Sequence, residues 1–181
     1  MGGPLRRVII FRLKPVDADP KNPSTKLGRL LRDSPNIVDA LPLERNETEK
    51  SFVNLNGESY EAERPEAGLV KGFADYLTGK GHESCRHRML PPGESRPLFT
   101  DLYSTQLGLL VEAKGSVTRE SVRMAIGQLA DYGRFVDHAA RAILLPSKPR
   151  KDLLDLAQSQ GCVVIWPGGK AYGSTEANLI T

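Results

Sequence analysis

Three side chains have the types and spacing for metal-assisted phosphoryl chemistry: Asp101, then Glu112 and Lys114. Residues 98–104 and 109–114 read as two strands joined by a short loop. With the loop centred on Gln106-Leu107, antiparallel pairing sets residue 101 opposite residue 112, so both side chains share a face. Residue 114 shares that face too, because side chains alternate along a strand with period two. Two carboxylates and a lysine then converge on the end of a sheet. Carboxylates this close repel, so a positive charge belongs between them, and hard oxygen ligands select Mg²⁺ or Mn²⁺ over zinc. A lysine beside such an ion can hold or activate an attacking water and stabilise charge developing on a phosphate.

The competing explanation is plain. Glu-x-Lys arises by chance in many proteins, and surface strands carry such charges to blunt an edge. Against it stands Leu109-Leu110-Val111, directly before Glu112. That run marks a largely buried strand, where unpaired charge is costly. His82, Cys85 and His87 raise the question of zinc. In a strand, residues 85 and 87 share a face while 82 lies opposite, and no second ligand pair at finger-like spacing follows, so no zinc site is expected.

The elements that must position the triad follow from periodicity. Pro65 suits a first helical turn, and Leu69, Val70, Phe73, Tyr76 and Leu77 recur at helical spacing until Gly79-Lys80-Gly81. A helix over 61–79 and a strand over 83–90, ended by Pro91-Pro92-Gly93, are therefore predicted. After the two strands of the triad comes a long helix over 118–136, with Val122, Ala125, Ile126, Leu129 and Phe135 along one side. A buried strand over 142–145, a helix over 149–160 opened by Pro149, and a strand over 162–166 complete the chain. The order α-β-β-β-α-β-α-β makes residues 59–181 an α/β domain, a mixed β-sheet flanked by helices. Ahead of it, 7–13 reads as a strand, 24–32 as a short helix capped by Ser24, and 44–61 as a polar linker. A lone strand and a short helix bury too little for a core. Residues 1–58 are thus expected to be an arm packed on the main domain or the remnant of an upstream domain.

The helix after the triad carries Gln128 and Tyr132 at i and i+4, on one face. The succession Thr100-Asp101, Glu112-Ala113-Lys114, Gln128-Leu129-Ala130-Asp131-Tyr132 resembles the PD-(D/E)xK nuclease superfamily, in particular the RecB-like branch with a Gln-x-x-x-Tyr motif. The resemblance covers roughly residues 61–166, about three-fifths of the chain. It implies a restriction-endonuclease-like core. It also implies that Asp101 and Glu112 bind Mg²⁺ (or Mn²⁺), with the Ala113 carbonyl as a third ligand, and that Lys114 positions the nucleophilic water. Glu66, on the helix before the first strand, would orient a water in the ion's shell or support a second ion. Gln128 and Tyr132 would contact the phosphate backbone or buttress the lysine. Tyr132 also suits a core aromatic, and Glu66 a solvated first-turn residue favoured by the helix dipole. Thr100 departs from the proline that the family often places there.

Basic residues supply a path for a polyanion. Arg86 and Arg88 share one strand face, Arg119 and Arg123 are one helical turn apart, and Lys148, Arg150 and Lys151 open the next helix. Each cluster alone reads as a solvated face; together they can border a DNA groove. The total gives little guidance, since 25 basic against 22 acidic residues leave +3. An apolar fraction of 39% with 26% charged residues excludes wholesale disorder. No apolar run is long enough to span a bilayer, and two cysteines cannot make a disulfide scaffold, so a cytoplasmic setting is expected.

The activity these readings imply is divalent-metal-dependent DNA phosphodiester hydrolysis by an endonuclease, with a restriction or defence role. The alternative is a non-catalytic nucleic-acid-binding or assembly domain on the same fold, which would have no physical reason to gather Asp101, Glu112 and Lys114. Target choice would fall to the N-terminal arm or an upstream DNA-recognition domain. Cutting both strands is easiest with two active sites, which favours a homodimer on the DNA.

Overall fold

The computed structural model describes residues 37–43, 60–169 and 171–180. Its elements run β1 (Ile37–Pro42), α1 (Tyr60–Gly79), β2 (Ser84–Leu90), β3 (Leu98–Phe99), β4 (Leu102–Ser104), β5 (Leu109–Ala113), α2 (Arg119–Tyr132), β6 (Ala140–Leu144), α3 (Lys151–Ser159), β7 (Cys162–Pro167) and β8 (Tyr172–Ser174). All eight strands belong to one mixed sheet ordered β1-β2-β4-β5-β6-β7-β8, with β3 paired to β2. The pairings β5–β6 and β6–β7 are parallel; the others are antiparallel. The fold is α/β, a mixed sheet flanked by helices.

Alternation along β5 divides the interior into two cores. Leu109, Val111 and Ala113 pack with Val70, Phe73 and Leu77 of α1 on one face of the sheet. Leu110 packs with Val122, Ala125 and Leu129 of α2 and Leu153 and Ala157 of α3 on the other. Every residue of β5 is buried, as a central strand covered on both faces requires. Removing the fully buried Phe73 side chain would cost about 3–5 kcal/mol, through lost transfer energy and an unfilled cavity.

Local signals explain the helix ends near the site. Thr118 caps α2, its hydroxyl accepting from the Ser121 N–H at 3.2 Å, and Glu120 meets the positive end of the helix dipole. The helix stops at Tyr132, short of the expected 136, where the Gly133 N–H turns to the Leu129 and Asp131 carbonyls. Arg150, after the buried Pro149, is the N-cap of α3.

Three departures from the sequence reading matter. The strand expected over 98–104 is broken by a bend at Asp101, which separates β3 from β4. Thr100 makes that break: its N–H donates to the His87 carbonyl at 3.0 Å, and its hydroxyl accepts from the His87 N–H at 2.8 Å. Strand β1 falls within the stretch read as an arm, yet it pairs along its whole length with β2, from Ile37↔Leu90 to Pro42↔Cys85. Strand β8 closes the far edge and was not anticipated. The strand expected over 7–13 and the helix over 24–32 lie outside the described residues.

Candidate active site

The site forms where β5 leaves the sheet. Leu102↔Val111 is the last paired rung between β4 and β5, so Asp101 stands one step beyond it, opposite Glu112. This is the register predicted from a loop centred on Gln106-Leu107. The turn holding it passes through Gly108, whose φ of +56° suits glycine, and its carbonyl accepts from the Ala139 N–H at 2.8 Å.

Acidic side chains secure the strand end by accepting from the backbone. The Ala113 N–H donates to Asp101 Oδ2 at 2.9 Å. From the opposite layer, Glu66 Oε1 accepts from the Gly115 N–H at 3.0 Å. Glu112 and Lys114 are both buried, and the Lys114 ammonium donates to Glu112 Oε1 at 2.7 Å. The expected shared face of residues 112 and 114 is thus realised as a direct contact. Glu66 also reaches the triad, from α1 across the edge of the sheet.

Electrostatics at this point are unbalanced. Burial, then the neighbouring Asp101 carboxylate, push the Glu112 carboxyl up to about 8, against the pull of the Lys114 ammonium; Glu66 adds to the upward push. Three carboxylates face one ammonium. The contact between Lys114 and Glu112 therefore reaches full ion-pair strength only when a further positive charge offsets the excess. Glu112 Oε2 is buried without a hydrogen-bond partner. A buried carboxyl oxygen left without a partner beside two other carboxylates suits a hard divalent cation, which would displace the proton. Among the described residues no group of three His, Cys, Asp or Glu side chains is arranged to enclose a metal ion. The oxygen donors available to one at this strand end are Asp101 and Glu112, with the Ala113 carbonyl between them and Lys114 in sequence; an ion of the Mg²⁺ type would fill the rest of its shell with waters.

Helix α2 supplies the next layer. Gln128 Nε2 donates to the Tyr132 hydroxyl at 3.3 Å, while Gln128 Oε1 is buried without a partner. Burial and then the Glu112 charge push the Tyr132 hydroxyl up to about 12. That coupling brings Tyr132 to the triad, although its ring is also part of the core, so both sequence readings of this residue hold at once.

The expected phosphate contacts separate into distinct groups. Arg86 is only 2% exposed, with its guanidinium 4.4 Å from the Phe99 ring centroid. Burial and the Phe99 ring place Arg86 inside the fold, away from the open groove that its reading as a phosphate contact supposed. Arg88 pairs with Asp39 of β1 at 3.2 Å. Arg119 pairs with Asp152, which also holds Arg150 at 2.6 Å. Arg123 is exposed and makes no ion pair among the described residues. His87 lies edge-on to Tyr103 at 4.7 Å, and burial pushes its pKa down. No pattern in the residues marks Thr100 as an anchor or the Gly115 N–H as the partner of Glu66. The glycine directly after Lys114 was the available sign of a strand ending at the site.

No family model, curated protein or solved structure matches this chain. Among the described residues no helix is long and apolar enough to cross a membrane.

Proposed function

We propose that this chain is a divalent-metal-dependent DNA endonuclease of the PD-(D/E)xK type, built on a restriction-endonuclease-like core and serving restriction or defence. The observation carrying this reading is the convergence of Asp101, Glu112 and Lys114 at the end of β5, with Glu112 Oε2 buried and unsatisfied. A purely structural strand end has no use for a buried lysine between acids, since each such charge costs desolvation energy.

The chemistry divides among the residues as follows. Asp101, Glu112 and the Ala113 carbonyl would hold Mg²⁺ or Mn²⁺, which supplies Lewis-acid stabilisation of charge on the phosphate and the leaving oxygen. Lys114 orients the attacking water in line with the scissile bond and stabilises negative charge on the phosphate oxygens. Asp101 keeps its position through the Ala113 N–H, and Glu66 fixes the backbone that carries Lys114 through the Gly115 N–H. Gln128 and Tyr132 brace the face on which Glu112 lies. Hydrolysis leaves one end as a phosphomonoester and the other as a hydroxyl; the exposed basic side chains would meet the uncleaved phosphates on either side and so serve binding.

The test uses plasmid and linear DNA with Mg²⁺ or Mn²⁺, comparing the wild-type chain with Asp101→Ala and Lys114→Ala. Metal-dependent cutting lost in both variants supports the enzyme. DNA bound tightly and never cut, with the variants binding equally well, supports the non-catalytic domain instead.

A further inference from the structure

The parallel strands place a second feature in line with the triad. The Lys114 N–H donates to the Leu144 carbonyl and the Leu145 N–H to the Ile165 carbonyl, both at 2.9 Å. These bonds close the last rungs of the β5–β6–β7 ladder, Ala113↔Leu144 and Leu144↔Ile165. Lys114, Leu145 and Trp166 are the residues directly after that last row, the first two just past the ends of β5 and β6 and the third within β7, which sets Lys114 and Trp166 about 10 Å apart at their Cα atoms. Leu145 and Trp166 pack on the α2 and α3 side of the sheet, the side of Glu112 and Tyr132. The carboxyl edge of parallel strands is where α/β folds receive ligands.

Trp166 is half-buried and held flat. Its indole lies over Gly173 of β8, where a Cβ would fall 2.6 Å from Cε2 and Nε1, so only glycine permits this seat. The exposed Lys148 ammonium lies 5.5 Å from the ring centroid. Neither the indole N–H nor that ammonium makes a hydrogen bond among the described residues. A fixed aromatic face and a mobile point charge, beside a site for phosphate, are the two parts of a nucleotide subsite. The base stacks on the ring, and the phosphate draws the lysine off it.

We infer that Trp166 and Lys148 form a stacking subsite for a nucleobase next to the scissile phosphate, and that the preferred DNA is single-stranded or locally unpaired there. A paired base cannot present its face to an aromatic side chain without leaving the stack. The inference rests on the nuclease reading for the word scissile, and on geometry alone for the stacking.

Trp166 is the sole tryptophan of the chain, so its fluorescence reports the contact directly. The full chain in EDTA is titrated with an oligothymidylate, an abasic oligonucleotide of equal length and a blunt duplex, following tryptophan emission and, with labelled DNA, anisotropy. Saturable quenching by the oligothymidylate but not by the abasic strand or the duplex is expected. Trp166→Ala should weaken oligothymidylate binding by roughly 5- to 100-fold, and Trp166→Phe by much less, since stacking needs only an aromatic face. Quenching without cutting of any DNA in Mn²⁺ would sink the nuclease reading and leave the stacking subsite standing. Metal-dependent cutting of duplex with no quenching by any strand, or equal quenching by duplex and oligothymidylate, overturns the subsite. So does unaltered binding by Trp166→Ala.

Discussion

Glu112 holds its carboxyl where burial, Asp101 and Glu66 all oppose ionisation, and one ammonium favours it. A carboxyl raised to about 8 from its ordinary 4.5 binds its proton more tightly folded than unfolded. Its contribution to stability is therefore complete below about pH 4.5 and is lost as pH climbs through about 8. In EDTA the melting temperature should fall between about pH 5 and 8.5, and Glu112→Gln should flatten that fall. Added Mg²⁺ should restore more stability at about pH 8 than at about pH 5, because the ion competes with the proton for the same oxygens. Parallel profiles for wild type and Glu112→Gln would contradict this account. The arginines of β2 offer a contrast at the same scale. Arg86→Ala removes a buried guanidinium stacked on Phe99 and should cost about 2 kcal/mol or more. Arg88→Ala loses an exposed pair with Asp39 and should cost about 0–1 kcal/mol. Urea denaturation of the two variants measures the difference.

Among the elements, the β4–β5 hairpin decides whether a site exists. Its register brings Asp101 to Glu112, and Gly108 sets that register with a φ of +56° and Ala139 packed against it. An alanine there would meet the Ala139 Cβ and N at 3.1 Å in a backbone conformation that disfavours it. Gly108→Ala should cost about 1–3 kcal/mol in chemical denaturation and loosen the approach of Asp101 to Glu112 with it. This hairpin was legible because two apolar strands flank a loop of obvious centre, and period two does the rest. Less was legible where tertiary contacts override local pattern. The run 98–104 shows no break, since Thr100 acts only through its bonds to His87 across the sheet. Strand β1 carries Asp39 and Pro42 in six residues, and β8 is three residues long, so neither has the apolar alternation that marks a strand. Arg86 looked like a surface residue because nothing in a sequence tells which side of a strand meets Phe99. Glu66 could be placed on its helix, but its reach to the Gly115 N–H depends on how that helix crosses the sheet.

Across the whole molecule, the sheet separates two apolar cores and gathers the polar chemistry at one end of its parallel strands. Its edges are β1 and β8. Because β1 covers β2 through six paired residues, a boundary drawn at residue 58 cuts through the sheet. A chain beginning after residue 43 should expose the β2 edge and self-associate, which light scattering against the full chain measures. A monodisperse, equally stable fragment would show that β1 is dispensable.

The carboxylates that grip the end of β5 also make it observable. Two amide protons, those of Ala113 and Gly115, are held by Asp101 and Glu66 respectively, and not by another strand. Their hydrogen–deuterium exchange is then a residue-resolved gauge of each acid. Asp101→Ala should speed exchange at Ala113 and Glu66→Ala at Gly115, while the amides inside β5 keep the slow pace of the global opening. Asp101 and Glu66 can thus be followed one at a time, through the backbone each holds, without any assay of activity.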